Sequence, residues 1–158
     1  MPIISSSPFE IVCTDIVGPF KKSANGFKYI LVCVDHFTSW VEVAPLITIT
    51  TDEVCNAIIR IVDLQHGCPK SVLTDQGTQF TSDLFKQFCQ KLGINKIQTS
   101  TYHPQTNGKA ENFNSFLVNS LSLVCKEDQS DWDEAIYYCV FANRITIHRL
   151  IQETPFYL

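Results

Sequence analysis

Two hydrophobic rhythms divide the chain. "FEIVCTDIV" (9–17), "FKYILVCVD" (27–35) and "WVEVAPL" (40–46) are short apolar runs closed by turn residues, which predicts three strands. Their connections are short, so they form an antiparallel meander. From Thr51 to Gln65 the spacing changes. Val54, Ala57, Ile58, Ile61 and Val62 recur at three- and four-residue steps, which predicts a helix ended by Gly67 and Pro69. "KSVLT" (70–74) is a fourth strand. A helix follows with Ser82 as N-cap, Leu84, Phe85, Phe88 and Leu92 on one face, and Gly93 past its end. "NKIQTS" is a fifth strand. A long helix at about 109–125 buries Phe113, Phe116, Leu117, Leu121 and Val124. A last helix opens at "SDWD", where Ser130 and Asp133 form a capping box, and buries Trp132, Ile136, Cys139, Val140 and Asn143. The order β-β-β-α-β-α-β-α-α predicts an α/β layered domain with a mixed sheet.

The 158 residues suit one domain. No apolar run reaches the roughly 20 residues of a membrane span. The opening "MPIISSSPFE" has neither a basic start nor a long apolar stretch, so an intracellular protein is expected, with 1–7 a disordered leader and 8–158 the domain. The seven cysteines show no metal-ligand spacing. Cys13, Cys33, Cys89 and Cys139 fall at core positions, so buried reduced thiols are expected. The net charge of −4 argues against a dedicated basic nucleic-acid-binding module.

Three acids stand where chemistry is usually sited. Asp15 lies near the end of the first strand, Asp75 directly follows the fourth, and Glu111 is in the first turn of the long helix. Ligands of open α/β sheets bind outside the carboxyl ends of strands, so adjacency of strands one and four would bring Asp15 and Asp75 together. Glu111 is two residues from Phe113, about 200° around the helix, and so leaves the buried stripe; Asn114 and Ser115 share its polar face. Converging carboxylates repel, and hard divalent cations relieve that repulsion. Two such ions about 4 Å apart can clamp the attacking and leaving oxygens of a phosphodiester displacement. Taken singly, each acid also reads as an ordinary strand-end or helix-start residue. Asp35, which also ends a strand, reads as a turn-former ahead of "HFTSW".

Thirty-five residues separate Asp75 from Glu111. With Asp15, this spacing resembles the D,D-35-E signature of retroviral and retrotransposon integrases. "TDIVGPF" resembles the family's first-Asp segment and "YILVCVDHFTSWVEVAPL" its second and third strands. "GCPKSVLTDQGTQFTS" resembles the second-Asp segment, "YHPQTNGKAENFN" the loop before the Glu, and "ETPFYL" the terminal T-P-F. The resemblance covers residues 8 to 158 and is closest in character to gypsy-type long-terminal-repeat retrotransposons, including decayed or host-adopted copies.

The resemblance implies a ribonuclease H-like fold with a five-stranded sheet of order 3-2-1-4-5. It implies Asp15, Asp75 and Glu111 as catalytic residues and ligands of two Mg²⁺ or Mn²⁺ ions. The reactions implied are DNA 3′-end processing and strand transfer into target DNA, and hence a nuclear location. A homodimer through helices 51–65 and 131–147 is expected, with no membrane partner. His103, Gln105, Asn107, Gly108, Lys109 and Asn114 are the expected DNA contacts, at a loop entering a helix N-terminus. Where the family commonly has basic residues after the Glu, Asn112, Asn114 and Ser115 stand here, so weaker DNA affinity is expected on that face. Neither the zinc domain nor the basic C-terminal domain usual in integrases is expected in this chain. A catalytically silent DNA- or protein-binding module is the alternative. A related ribonuclease H-like nuclease is disfavoured by the H-P-Q loop.

Overall fold

The computed structural model describes residues 3–98, 108–125 and 127–146. The strands are β1 (Ile11–Val17), β2 (Tyr29–Asp35), β3 (Val41–Leu46), β4 (Ser71–Thr74) and β5 (Asn95–Gln98). The helices are α1 (Thr51–Ile58), α2 (Leu64–His66), α3 (Thr78–Thr81), α4 (Asp83–Lys91), α5 (Gly108–Val124) and α6 (Trp132–Arg144). The sheet order is β3-β2-β1-β4-β5. β1, β2 and β3 pair antiparallel, while β1, β4 and β5 pair parallel. This is the ribonuclease H-like sheet that the resemblance implies.

The sheet is buried on both faces, which is why "YILVCV" carries no polar position. Ile11, Cys13, Val32, Val34 and Leu73 pack with α5 and α6. Val12, Leu31, Cys33 and Val72 pack with α1 and α4 on the other face. Each fully buried Val, Leu or Ile contributes about 1.5–3 kcal/mol, so neither layer is dispensable. Polar contacts fix α6 across the meander. Arg144 donates to the Val41 carbonyl at 2.7 Å, pairs with Glu42 Oε1 at 3.1 Å, and lies 3.9 Å over the Trp40 ring. At the other end of α6, Trp132 Nε1 donates to the Lys21 carbonyl at 2.6 Å, and Asn25 Nδ2 to Asp133 Oδ2 at 2.9 Å.

Several sequence expectations need correction. The helix expected over 51–65 is α-helical only to Ile58. A π-helical segment, Ile59–Asp63, separates it from α2. Three- and four-residue apolar spacing fits both forms, so periodicity alone does not reveal a widened turn. The short α3 has too few residues to carry a period. Ser82 caps α4 as expected, accepting from the Phe85 amide at 3.2 Å. The capping box at α6 does not form: the Ser130 hydroxyl donates to Asp128, and Asp131 occupies the N-cap position without a side-chain capping bond. Leu84, Leu92 and Val124 are exposed rather than buried. α4 covers the short edge strand with the single ridge of Phe85 and Cys89, and α5 outruns the sheet beyond Leu121. Cys13, Cys33, Cys89 and Cys139 are buried and free. Ser5 and Ser6, in the segment expected to be a loose leader, hydrogen-bond to His36 Nδ1 and Glu10 Oε2.

Candidate active site

The parallel pairing of β1 with β4 sets Ile11 opposite Ser71 and Cys13 opposite Leu73. Continued past its last paired residues, the same offset brings Asp15 and Asp75 to neighbouring positions at the carboxyl end of the pair. Side chains alternate along a strand, so Asp15 shares the face of Ile11 and Cys13, and Asp75 that of Leu73. That is the face covered by α5. α5 buries Ala110, Phe113 and Leu117, and this phase leaves Glu111 exposed in its first turn, as the helical argument requires.

Two of the acids are held by hydrogen bonds. Asp15 is half-buried; its Oδ1 accepts from the Ile16 amide at 2.8 Å and its Oδ2 from Asn114 Nδ2 at 2.8 Å. Asp75 Oδ1 accepts from the Gly77 amide at 2.9 Å, which closes a tight turn after β4. A Cβ on Gly77 would lie 3.0 Å from that same oxygen and 2.7 Å from Gln79 Nε2, so a larger residue would push both side-chain ends aside. The sequence motif includes Gly77, but only the fold shows it bonded to the carboxylate.

The electrostatics tie the three acids together. Burial pushes the Asp15 carboxyl above its usual range, the Ile16 amide opposes this, and the charges of Asp75 and Glu111 both push it further up. Asn114 acts in the opposite sense, and no lysine or arginine offsets the two acids. Among the described residues no trio of acidic, histidine or cysteine side chains is close enough to hold an ion as it stands. The carboxylates therefore sense one another without sharing a ligation sphere. The donor set still suits a hard cation: three carboxylates, with the buried Asn114 Oδ1 beside them lacking a partner.

The expected DNA contacts divide into three groups. His103, Gln105 and Asn107 lie outside the described residues. Gly108 opens α5, and a Cβ there would meet nothing within 4 Å. Lys109 and Asn114 are both engaged within the protein. Lys109 Nζ donates to the His36 carbonyl, and burial pushes its ammonium below the usual lysine range, opposed by the charge of nearby Asp35. Asn114 donates to Asp15, a partnership that sequence spacing alone does not reveal. Asp35 is the turn-former expected. Fully buried, it accepts from the Phe9 and Phe37 amides and from the Thr38 amide and hydroxyl.

Residues 5–104 match the Integrase core domain (rve) family. Gypsy retrotransposon integrase-like protein 1 of Bos taurus is 31% identical over 151 residues, covering 96% of this chain and 30% of the relative. The Retrovirus-related Pol polyprotein from transposon 412 of Drosophila melanogaster is 27% identical over 150 residues, covering 95% of this chain and 12% of the relative. The chain thus spans under a third of the length of these relatives. The fold is shared with a chain of the simian T-cell lymphotropic virus intasome solved in complex with PP2A regulatory subunit B56 gamma, at TM-score 0.81 and 22% identity over all of this chain and 56% of that one. It is also shared with the HTLV-2 integrase catalytic core domain solved with magnesium, at TM-score 0.73 and 23% identity over 95% of both chains. The chain therefore belongs to the integrase core domain family.

Proposed function

We propose that this chain is the catalytic core of a gypsy-type retrotransposon integrase, a divalent-metal-dependent polynucleotidyl transferase acting on DNA ends and target DNA. The observation that carries the reading is the placement of Asp15 and Asp75 on one face at the carboxyl ends of adjacent parallel strands, with α5 bringing Glu111 within electrostatic reach. Asp15, Asp75 and Glu111 would hold Mg²⁺ or Mn²⁺; the HTLV-2 core of the same fold is described as a complex with magnesium. When bound, two such ions supply charge stabilisation at the attacking and leaving oxygens of a phosphodiester.

The chain's own residues do the positioning. Asn114 and the Ile16 amide fix the Asp15 carboxylate, one hydrogen bond to each oxygen. The Gly77 amide fixes Asp75. Glu111, exposed on α5, can swing toward the pair without disturbing packing. In this reading a water attacks in 3′-end processing and a DNA 3′-OH attacks in strand transfer. Each step breaks one P–O bond of a phosphodiester and forms one at the same phosphorus, giving a phosphomonoester when water attacks and a new phosphodiester when the 3′-OH attacks, and the departing oxygen takes up a proton in place of the one the nucleophile gives up. DNA as substrate carries a nuclear location with it. A second copy of the chain would pack on α6, where Tyr137, Tyr138 and Phe141 are exposed. No described helix is long and apolar enough to cross a membrane.

The test is a Mn²⁺ titration followed by joining and disjoining of a branched DNA that carries a nicked, integrated end. Activity is expected, and Asp75→Asn abolishes it. Metal binding without any such activity would favour the catalytically silent module, for which the internal engagement of Lys109 and the −4 net charge already speak. No binding at millimolar Mn²⁺ would sink the metal-dependent reading.

A further inference from the structure

Acids outnumber lysines and arginines sixteen to twelve in the whole chain, yet between Asp83 and Glu111 there are four lysines and no acid. Two of these lysines meet at the free edge of the sheet. β5 pairs only with β4 among the described residues, and Lys96 stands opposite Val72 in that pairing. It therefore shares Val72's face, toward α4, and its Nζ lies 5.8 Å from the centroid of the Phe85 ring. Lys86 follows Phe85 on α4 and is exposed. The two ammonium groups are near enough that Lys86 adds to the effect of burial in lowering the Lys96 pKa, and no carboxylate opposes it. Neither forms an ion pair among the described residues, even with Asp83 one turn before Lys86.

Two like charges held together without a counter-charge disfavour the isolated protein and suit a polyanion. Their position says which. From Val72 to Asp75 is three residues, about 10 Å along the strand, and from β4 to β5 is about 4.8 Å. Lys96 is thus roughly 11 Å from Asp75 in backbone terms but on the opposite face of the sheet, so a strand that reaches both passes round the β5 edge. The surface is continuous with the site through α3 and the start of α4, which follow Asp75 directly.

We propose that Lys86 and Lys96, on the α4–β5 edge, hold the phosphodiester backbone of a DNA strand that reaches the site round this edge. The proposal rests on the integrase reading and adds to it where the strand lies. Phosphate contacts of this kind carry position and not base sequence. They give a predominantly acidic domain a local basic surface, at a place distinct from the exposed face of α5.

The experiment is fluorescence anisotropy of a labelled duplex oligonucleotide with the 158-residue chain in EDTA, from 50 to 200 mM NaCl. Each phosphate contact contributes about 0.9 to the salt slope, so Lys86→Gln/Lys96→Gln should flatten it by about 1.8. Over that salt range the wild-type protein should lose about 12-fold more affinity than the double variant, whatever the duplex sequence. Lys21→Gln/Lys28→Gln, away from this edge, should keep the wild-type slope. An unchanged slope in the Lys86/Lys96 variant would overturn the proposal, as would equal flattening by the Lys21/Lys28 pair. So would a poly-glutamate peptide that binds through the same two lysines when DNA does not. Because no metal is present, the slope is independent of catalysis. A flattened slope in a protein that never joins DNA would support this contact and refute the integrase reading. An active protein with an unchanged slope would refute the contact alone.

Discussion

Asn114→Ala separates the positioning of Asp15 from the stability of the fold. In the native chain Asn114 Nδ2 gives a 2.8 Å hydrogen bond to Asp15 Oδ2, joining α5 to β1. A hydrogen bond to a charged group is worth about 1.5–3 kcal/mol. Asp15 is only half-buried, so water replaces much of the lost bond and the net cost falls to about 1 kcal/mol. Two effects oppose that cost. Alanine is about 0.5 kcal/mol better than asparagine in a helix interior. The substitution also removes Asn114 Oδ1, which is buried without a partner. Global stability should therefore change by less than about 1 kcal/mol, or under about 4 °C in Tm. The local consequence is larger. Asn114 is one of the two hydrogen bonds that hold down an Asp15 carboxyl already raised by burial and by Asp75 and Glu111. Its loss sends that pKa further up, so protons compete better with metal. A loss of about 1 kcal/mol corresponds to about fivefold weaker Mn²⁺ binding. This difference should be plain at pH 6 and shrink by pH 8. Calorimetric Mn²⁺ titrations at both pH values, with carboxyl carbon NMR of Asp15, measure it. An Asp15 titration midpoint that stays put or falls would refute the reasoning. So would a Tm drop beyond about 8 °C, which would make Asn114 a structural pin.

Asp35→Asn should show that a strand-end acid can be wholly structural: its amide would face the donors that Asp35 now accepts from, costing about 2–4 kcal/mol in urea unfolding while Mn²⁺ affinity stays at the wild-type value. Gly77→Ala should do the reverse, lowering DNA joining at least tenfold with a Tm change under about 4 °C, because its Cβ displaces the Asp75 carboxylate from a turn whose backbone alanine can adopt. Equal stability losses in the two variants would contradict the division between turn and site.

The hydrophobic period was enough to locate five strands and the main helices, since a strand buried on both faces and an amphipathic helix leave different spacings. Helical phase also placed Glu111 off the core, because 100° per residue is local geometry. The 35-residue interval from Asp75 to Glu111 linked the acids through resemblance before any contact was known. What period cannot encode is the identity of the neighbour. That β4 lies beside β1, in the register that pairs Cys13 with Leu73 and points toward Asp15 and Asp75, follows from how the crossover through α1 packs on the sheet. The same limit explains Asn114 and Lys109. Both are polar residues on a helix face near a loop, which suits a DNA contact as well as an internal one. Only the position of α5 over β1 and the β2–β3 turn turns them inward, to Asp15 and the His36 carbonyl. Leu84 and Val124 went the other way: their spacing fits a buried stripe, but the sheet is too short to cover them. Sequence determined which residues could face inward and which acids could act together. Tertiary structure decided which of them met, because contact between distant segments is a property of packing and not of local period.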